Sequence, residues 1–223
     1  RKSGDEAGFP TARFYHEAPA PARPGRAKTG TCAVPARMEV ADRAKAAVQP
    51  ANAARIAAAK PDLLVLCGDL VDERTTAAEM RRAVAAPGAV NAPLGTHFVY
   101  GNHDVGQYYD GLKFTAAQFE EALGAAGIRI LADGTARPAP WLTLVGRRDA
   151  SDRSRLSAAA LTAGAEGFVL MLDHQPGDFA ADRAAGVDLL LSGRTHAGQI
   201  WPGGLFVDVF GREPGATLQG LAR

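Results

Sequence analysis

From about Met38 onward the chain alternates apolar runs of three to six residues with Ala-rich stretches of helical spacing. Runs that short suit buried strands, and their alternation with helices is the pattern of a layered α/β domain. Strands are expected at Leu63–Cys67, Phe98–Tyr100, Ile128–Leu131, Leu142–Val145, Phe168–Leu172, Asp188–Leu191 and Leu205–Val209. Helices are expected at Ala44–Lys60, Thr75–Ala86, Ala116–Ala126, Arg155–Ala163 and Asp178–Ala185. Thr115 and Gln118 have the spacing of a capping box, and Gly127 stands where that helix should stop.

Residues 1–37 are rich in Pro, Ala, Gly, Arg and Lys without a period of 2 or 3.6, and are read as an irregular or partly extended segment. Residues 38–223 are expected to form one domain. A formal charge of +1 gives no overall field for nucleic acid or an anionic membrane, so nucleic acid is not an expected partner. Of two cysteines, Cys67 lies inside an apolar run, where a buried thiol outside any disulfide is the better reading. The chain contains no apolar run near the roughly 18–20 residues of a membrane span and no signal pattern, so a cytoplasmic or peripheral membrane location is expected.

Four polar clusters each follow an apolar run: Gly68-Asp69, Gly101-Asn102-His103-Asp104, Asp173-His174 and Gly193-Arg194-Thr195-His196. If those runs are strands, the clusters emerge together at the carboxyl ends of the sheet, where open α/β sheets place their ligands. Three of the five histidines fall in them beside a carboxylate or carboxamide, a nitrogen and oxygen set suited to transition-metal ions. His16 and His97 fall outside the clusters.

In content and order these motifs resemble the calcineurin-like metallophosphoesterases, over roughly residues 38–211, and look closest to the bacterial, often membrane-associated branch. The resemblance implies an α-β-β-α sandwich, two mixed sheets flanked by helices, that cleaves a phosphomonoester or phosphodiester with metal-activated water. It implies two divalent ions (Mn, Fe or Zn), with Asp69 as the bridging carboxylate, Asn102 and His174 on the second ion and His196 on the first. His103 matches the histidine that serves the leaving oxygen, and Asp104 the residue expected to orient its ring. The family adds strands beyond the position of Val209, so a domain cut short at its C-terminus is expected.

Two positions depart from the family pattern. Its first motif is Asp-x-His, and here Asp42 is read as the ligand with Ala44 in the histidine position. Its last is Gly-His-x-His, and Arg194 replaces the first histidine; a guanidinium stays protonated and cannot ligate a cation. Three readings stay open: two depleted sites that still fill and work slowly; one ion held by Asp42, Asp69 and His196 with Arg194 as a phosphate clamp; or a non-catalytic phosphate-binding pseudoenzyme. The implied substrate is a small-molecule or lipid-linked phosphoester; the sequence leaves oligomeric state open. Arg147, Arg148 and Asp149 are read as a solvated turn, and Tyr108, Tyr109, Phe114 and Trp201 as packing residues or a substrate wall.

Overall fold

The structure, a computed structural model, describes residues 11–13, 31–33, 50–107, 111–177, 179–193 and 219–220. Its strands are β1 (Thr11–Arg13), β2 (Thr31–Ala33), β3 (Leu63–Leu66), β4 (Thr96–Phe98), β5 (Ile128–Ile130), β6 (Gly134–Ala139), β7 (Leu142–Gly146), β8 (Phe168–Leu172), β9 (Leu189–Leu191) and β10 (Gln219–Gly220). Its helices are α1 (Pro50–Ala58), α2 (Ala77–Gly88), α3 (Ala116–Ala125), α4 (Ala158–Thr162) and α5 (Phe179–Ala184). The strands form two five-stranded sheets, ordered β1-β2-β3-β4-β5 and β10-β9-β8-β7-β6. β2 to β5 run parallel, as do β7, β8 and β9, while β1, β6 and β10 pair antiparallel at the edges.

The period of two along each strand decides the layering. Leu64 and Leu66 of β3 pack with Met80 and Val84 of α2 and with Phe119 and Leu123 of α3. Leu63, Val65 and Cys67 face the other way, into a core shared with Leu144, Leu170, Leu172 and Leu191 of the second sheet. On β8, Leu170 and Leu172 point into that core, whereas Val169 and Met171 pack against Ala158 and Leu161 of α4. Helices therefore cover the outer face of each sheet, as expected for the sandwich. Leu64, Leu144, Met171 and Leu172 have no exposed surface, and burying each side chain contributes about 1.5–3 kcal/mol.

Local signals set several boundaries. Thr115 and Gln118 form the expected capping box, and Thr76 with Glu79 forms a second one that starts α2. Ser157 caps α4, so that helix begins at Ala158 rather than Arg155, and Arg155 is left to make ion pairs. β4 lies two residues earlier than expected, at Thr96–Phe98, with Val99 and Tyr100 leading into the loop. β6 has no counterpart in the sequence reading because Gly-Thr-Ala-Arg-Pro-Ala lacks an apolar alternation; as an edge strand it tolerates Pro138. Two short strands, β1 and β2, fall within the segment read as irregular, and β2 pairs with β3. The expected strand Leu205–Val209 and residues 38–49 lie outside the described residues.

His97 lies on β4 away from the polar clusters, buried, with Nε2–H donating to the Leu94 carbonyl at 3.1 Å. Burial, and secondarily Arg129, lower its pKa below the ordinary histidine value of 6.5, against the opposing pull of the Leu94 bond. The unfolded chain therefore takes up a proton below about 6.5 that the folded chain still refuses, and stability is lost as pH falls through that value. Urea denaturation at pH 7.5 and 5.5, with a chelator present, should show a smaller acid-induced loss in His97→Gln than in the parent chain.

Candidate metal centre

β3, β4, β8 and β9 end at one edge of the sandwich, and the loops after β3, β4 and β8 bear three of the polar clusters, with Gly193 of the fourth shortly after β9. Asp69 follows β3, Asn102 follows β4, and His174 follows β8. The described loops bring these three side chains together. His174 Nε2 stands 3.1 Å from Asp69 Oδ2 and 3.2 Å from Asn102 Oδ1. Asp69 and Asn102 are nearly inaccessible, and His174 is wholly buried.

Such close approach requires missing side chains. A Cβ at Gly101 would run into Asp69 Oδ1 and lie 2.6 Å from the Asp69 amide. A Cβ at Gly193 would run into the Cys67 carbonyl oxygen and lie 2.9 Å from His174 Nδ1. Asp69 itself adopts the left-handed region at φ 57°. For a non-glycine residue that conformation costs of order 1 kcal/mol, a strain characteristic of functional loops.

Asp104 offsets that cost. Its carboxylate accepts the Asp69 and Gly101 amides on Oδ2, at 2.6 and 2.8 Å, and the Val71 amide on Oδ1 at 3.0 Å. This corrects its expected role: Asp104 knots the two loops and does not orient the His103 ring. The ring's partner is Glu73, whose Oε2 lies 3.0 Å from His103 Nδ1. Glu73 was missed because its motif, Val71-Asp72-Glu73, reads as a turn following Gly68-Asp69. Burial, then repulsion from Asp69, raise the Asp104 pKa to about 7 against the pull of the Gly101 and Val71 amides.

The tautomer of His174 can be read from its partners. Nδ1 lies 2.6 Å from the Cys67 carbonyl, which can only accept, so Nδ1 bears the proton and Nε2 turns its lone pair to Asp69 and Asn102. Gln175 Nε2 donates to Asn102 Oδ1 at 2.7 Å and fixes that amide. No hydrogen-bond donor is directed at Asp69 Oδ2. Asp69 Oδ2 and Asn102 Oδ1 thus both face the buried His174 lone pair, an arrangement of acceptors that calls for a cation. Donors bound at about 2.1 Å around an ion stand about 3 Å apart, so the spacing fits one divalent ion. Burial would lower the His174 pKa, but the Asp69 carboxylate and the Cys67 carbonyl raise it. Burial would likewise raise that of Asp69, but His174 and the His103 amide hold it below the usual carboxylate range.

Among the described residues no group of three or more His, Cys, Asp or Glu side chains converges, so the third donor is the Asn102 amide. Asp42, Ala44, Arg194 and His196, together with Tyr108, Tyr109 and Trp201, lie outside the described residues. Arg147 and Asp149 are not part of a solvated turn. Arg147 is buried and pairs with Asp173 at 3.0 Å and Asp182 at 3.6 Å, while Asp149 is only 2% exposed. Arg155 adds a second bond to Asp173 at 3.2 Å, so two guanidinium groups anchor the residue preceding His174. Phe114 is buried, as packing requires, and also lines a cavity.

Among the described residues no helix is long and apolar enough to cross a membrane. The calcineurin-like phosphoesterase model matches residues 41–197, a span that includes every motif above. A Bos taurus transmembrane protein with metallophosphoesterase domain is 35% identical over 161 residues, which cover 64% of this chain and 35% of that protein. The Bacillus subtilis protein YkuE, named an uncharacterized metallophosphoesterase, is 34% identical over 148 residues, covering 63% of this chain and 49% of its own. An Aquifex aeolicus protein of the same description is 33% identical over 150 residues, covering 64% and 53%. The chain therefore spans between about a third and a half of the length of these relatives, and its likeness to them is not confined to bacterial proteins. Matched over most of its length, and with Asp69, Asn102 and His174 brought together at the strand ends, the chain belongs to the calcineurin-like phosphoesterase family, whose members are generally metal-dependent hydrolases.

Proposed function

We propose that this chain hydrolyses a phosphomonoester or phosphodiester, small or lipid-linked, and does so slowly because two of the family's usual ligands are replaced. The supporting observation is the Asp69–Asn102–His174 arrangement, in which three acceptor atoms are held together by backbone and side-chain bonds that leave no donor for Asp69 Oδ2. Asp69, Asn102 and His174 would hold one divalent ion, and Asp42 and His196, with Asp69 shared, would hold the other. When bound, such an ion polarises a phosphoryl oxygen and lowers the pKa of a coordinated water toward neutrality.

The protein's own groups do the rest. Glu73 holds the His103 ring at Nδ1, and the ring would give a proton from Nε2 to the departing alkoxide. Arg194 carries a guanidinium that would grip phosphate oxygens in place of a lost metal ligand. Membrane proximity is consistent with relatives named transmembrane proteins and with a lipid-linked substrate. A non-catalytic phosphate binder is the competing reading, favoured by Ala44 and Arg194.

Elemental analysis of the purified chain, with bis-p-nitrophenyl phosphate hydrolysis in added manganese, separates the two. Bound metal and turnover are expected, and His174→Ala should lower both by about 100-fold; metal-free, inert protein at every pH would leave only the binder. Combining Ala44→His with Arg194→His should raise metal occupancy and rate, by about tenfold, because each restores a nitrogen donor. Glu73→Gln should slow alkyl phosphoesters by about 100-fold while sparing p-nitrophenyl esters, whose leaving group departs without a proton; equal slowing of both would remove Glu73 from this role.

A further inference from the structure

A cavity of about 620 Å³ opens beside the Asn102–His103 loop, between β4, the start of α3 and the loop after β7, with Asp104 at one end. Tyr100, Phe114 and Phe119 form an aromatic wall, with Phe114 and Phe119 centroids 5.8 Å apart and Tyr100 and Phe119 centroids 6.3 Å apart. The charge lining this space is one-sided. Asp104, Glu120, Asp149 and Asp152 face a single cation, Arg148. That arginine is already matched, because Nη1 donates to Asp152 at 3.0 Å and Nε lies 3.6 Å from Asp133.

Asp149 is the group without a match. It is 2% exposed; Oδ1 accepts the Ser151 amide at 2.9 Å, and Oδ2, buried, receives no hydrogen bond. A buried carboxylate oxygen without a donor is costly. A cation supplied from outside would relieve it, and aromatic faces beside carboxylates are the surroundings in which organic cations bind well. A second phosphate or carboxylate on the same ligand would be repelled by Asp149, Glu120 and Asp104.

We propose that this cavity seats the alcohol portion of the phosphoester and selects an alcohol bearing an organic cation, a quaternary or protonated amine. The inference rests on the hydrolase reading for its link to catalysis, though not for the binding itself. Asp149 supplies the countercharge, and Tyr100, Phe114 and Phe119 take up the methyl and methylene groups. Glu120, bonded to the Tyr100 hydroxyl at 3.1 Å, holds that ring and adds negative potential.

The test uses choline and its neutral carbon isostere, 3,3-dimethylbutan-1-ol, as probes of the full chain by calorimetry with no ester present. Choline should bind about tenfold tighter or better, and Asp149→Asn should bring the ratio close to one. The same ordering is expected in kcat/KM between the choline and 3,3-dimethylbutyl esters of p-nitrophenyl phosphate with manganese. Should Asp149→Asn not fold, Glu120→Gln on the surface of α3 should lower the ratio by about threefold. Equal binding of the two probes, no measurable choline binding, or a ratio unmoved by the folded variants overturns the inference. Choline binding without turnover of any ester overturns the hydrolase reading and leaves the cation site standing, whereas turnover of both esters without preference overturns the cation site alone.

Discussion

One hydrogen bond ties the two halves of the sandwich together where the chemistry sits. The Cys67 carbonyl, at the end of β3, accepts the Nδ1 proton of His174, at the end of β8, across the junction of the two sheets. The bond sets the ring's tautomer, so Nε2 has nowhere to face but toward Asp69 and Asn102. Its 2.6 Å length depends on the bare backbone of Gly193, since any side chain there would collide with both partners. A glycine in one loop therefore decides how a histidine in another presents its lone pair.

The loops on either side are braced differently. On the first sheet, a single carboxylate, Asp104, gathers amides from both loops and holds Asp69 in a left-handed conformation it would not choose alone. Hydrogen bonds to a charged acceptor are worth about 1.5–3 kcal/mol each, so three of them outweigh a strain of order 1 kcal/mol. On the second sheet, Arg147 and Arg155 clamp Asp173 from two directions. Removing one member of such a buried set leaves an uncompensated charge, which costs far more than the pair contributes when intact. Both devices fix backbone at or beside a metal-ligand candidate through groups other than the Asp69 Oδ2 and His174 Nε2 atoms that face each other.

This division explains what could be read from the letters. Apolar periodicity on β3, β7 and β8 and the capping boxes depend on near neighbours, so the layers and most boundaries were legible. The meeting of Asp69, Asn102 and His174 was legible too, because each lies within four residues of a strand end and the strands end together. The partners that brace them were not. Glu73 reaches His103 across thirty positions, Gln175 reaches Asn102 across seventy-three, and no local pattern records either pairing. Arg147 and Asp149 looked like solvent-facing charges for the same reason: burial of an ion pair is decided by what a distant loop brings against it. β6 escaped notice because pairing at a sheet edge needs little from its own side chains.

Each of the three described donors is held by a partner within the described residues. Asp69 is placed by Asp104, Asn102 by Gln175 and His174 by the Cys67 carbonyl, and none of those bonds involves position 44 or 194. Donors placed by such bonds are ordered in folding, so an entering ion meets little further ordering cost. A lone pair, a carboxylate oxygen and an amide oxygen confined about one buried point repel one another until a proton or an ion enters. The raised pKa of His174 is the protonic form of that demand. An ion and a proton therefore compete for the same place, so affinity for the ion falls as pH falls.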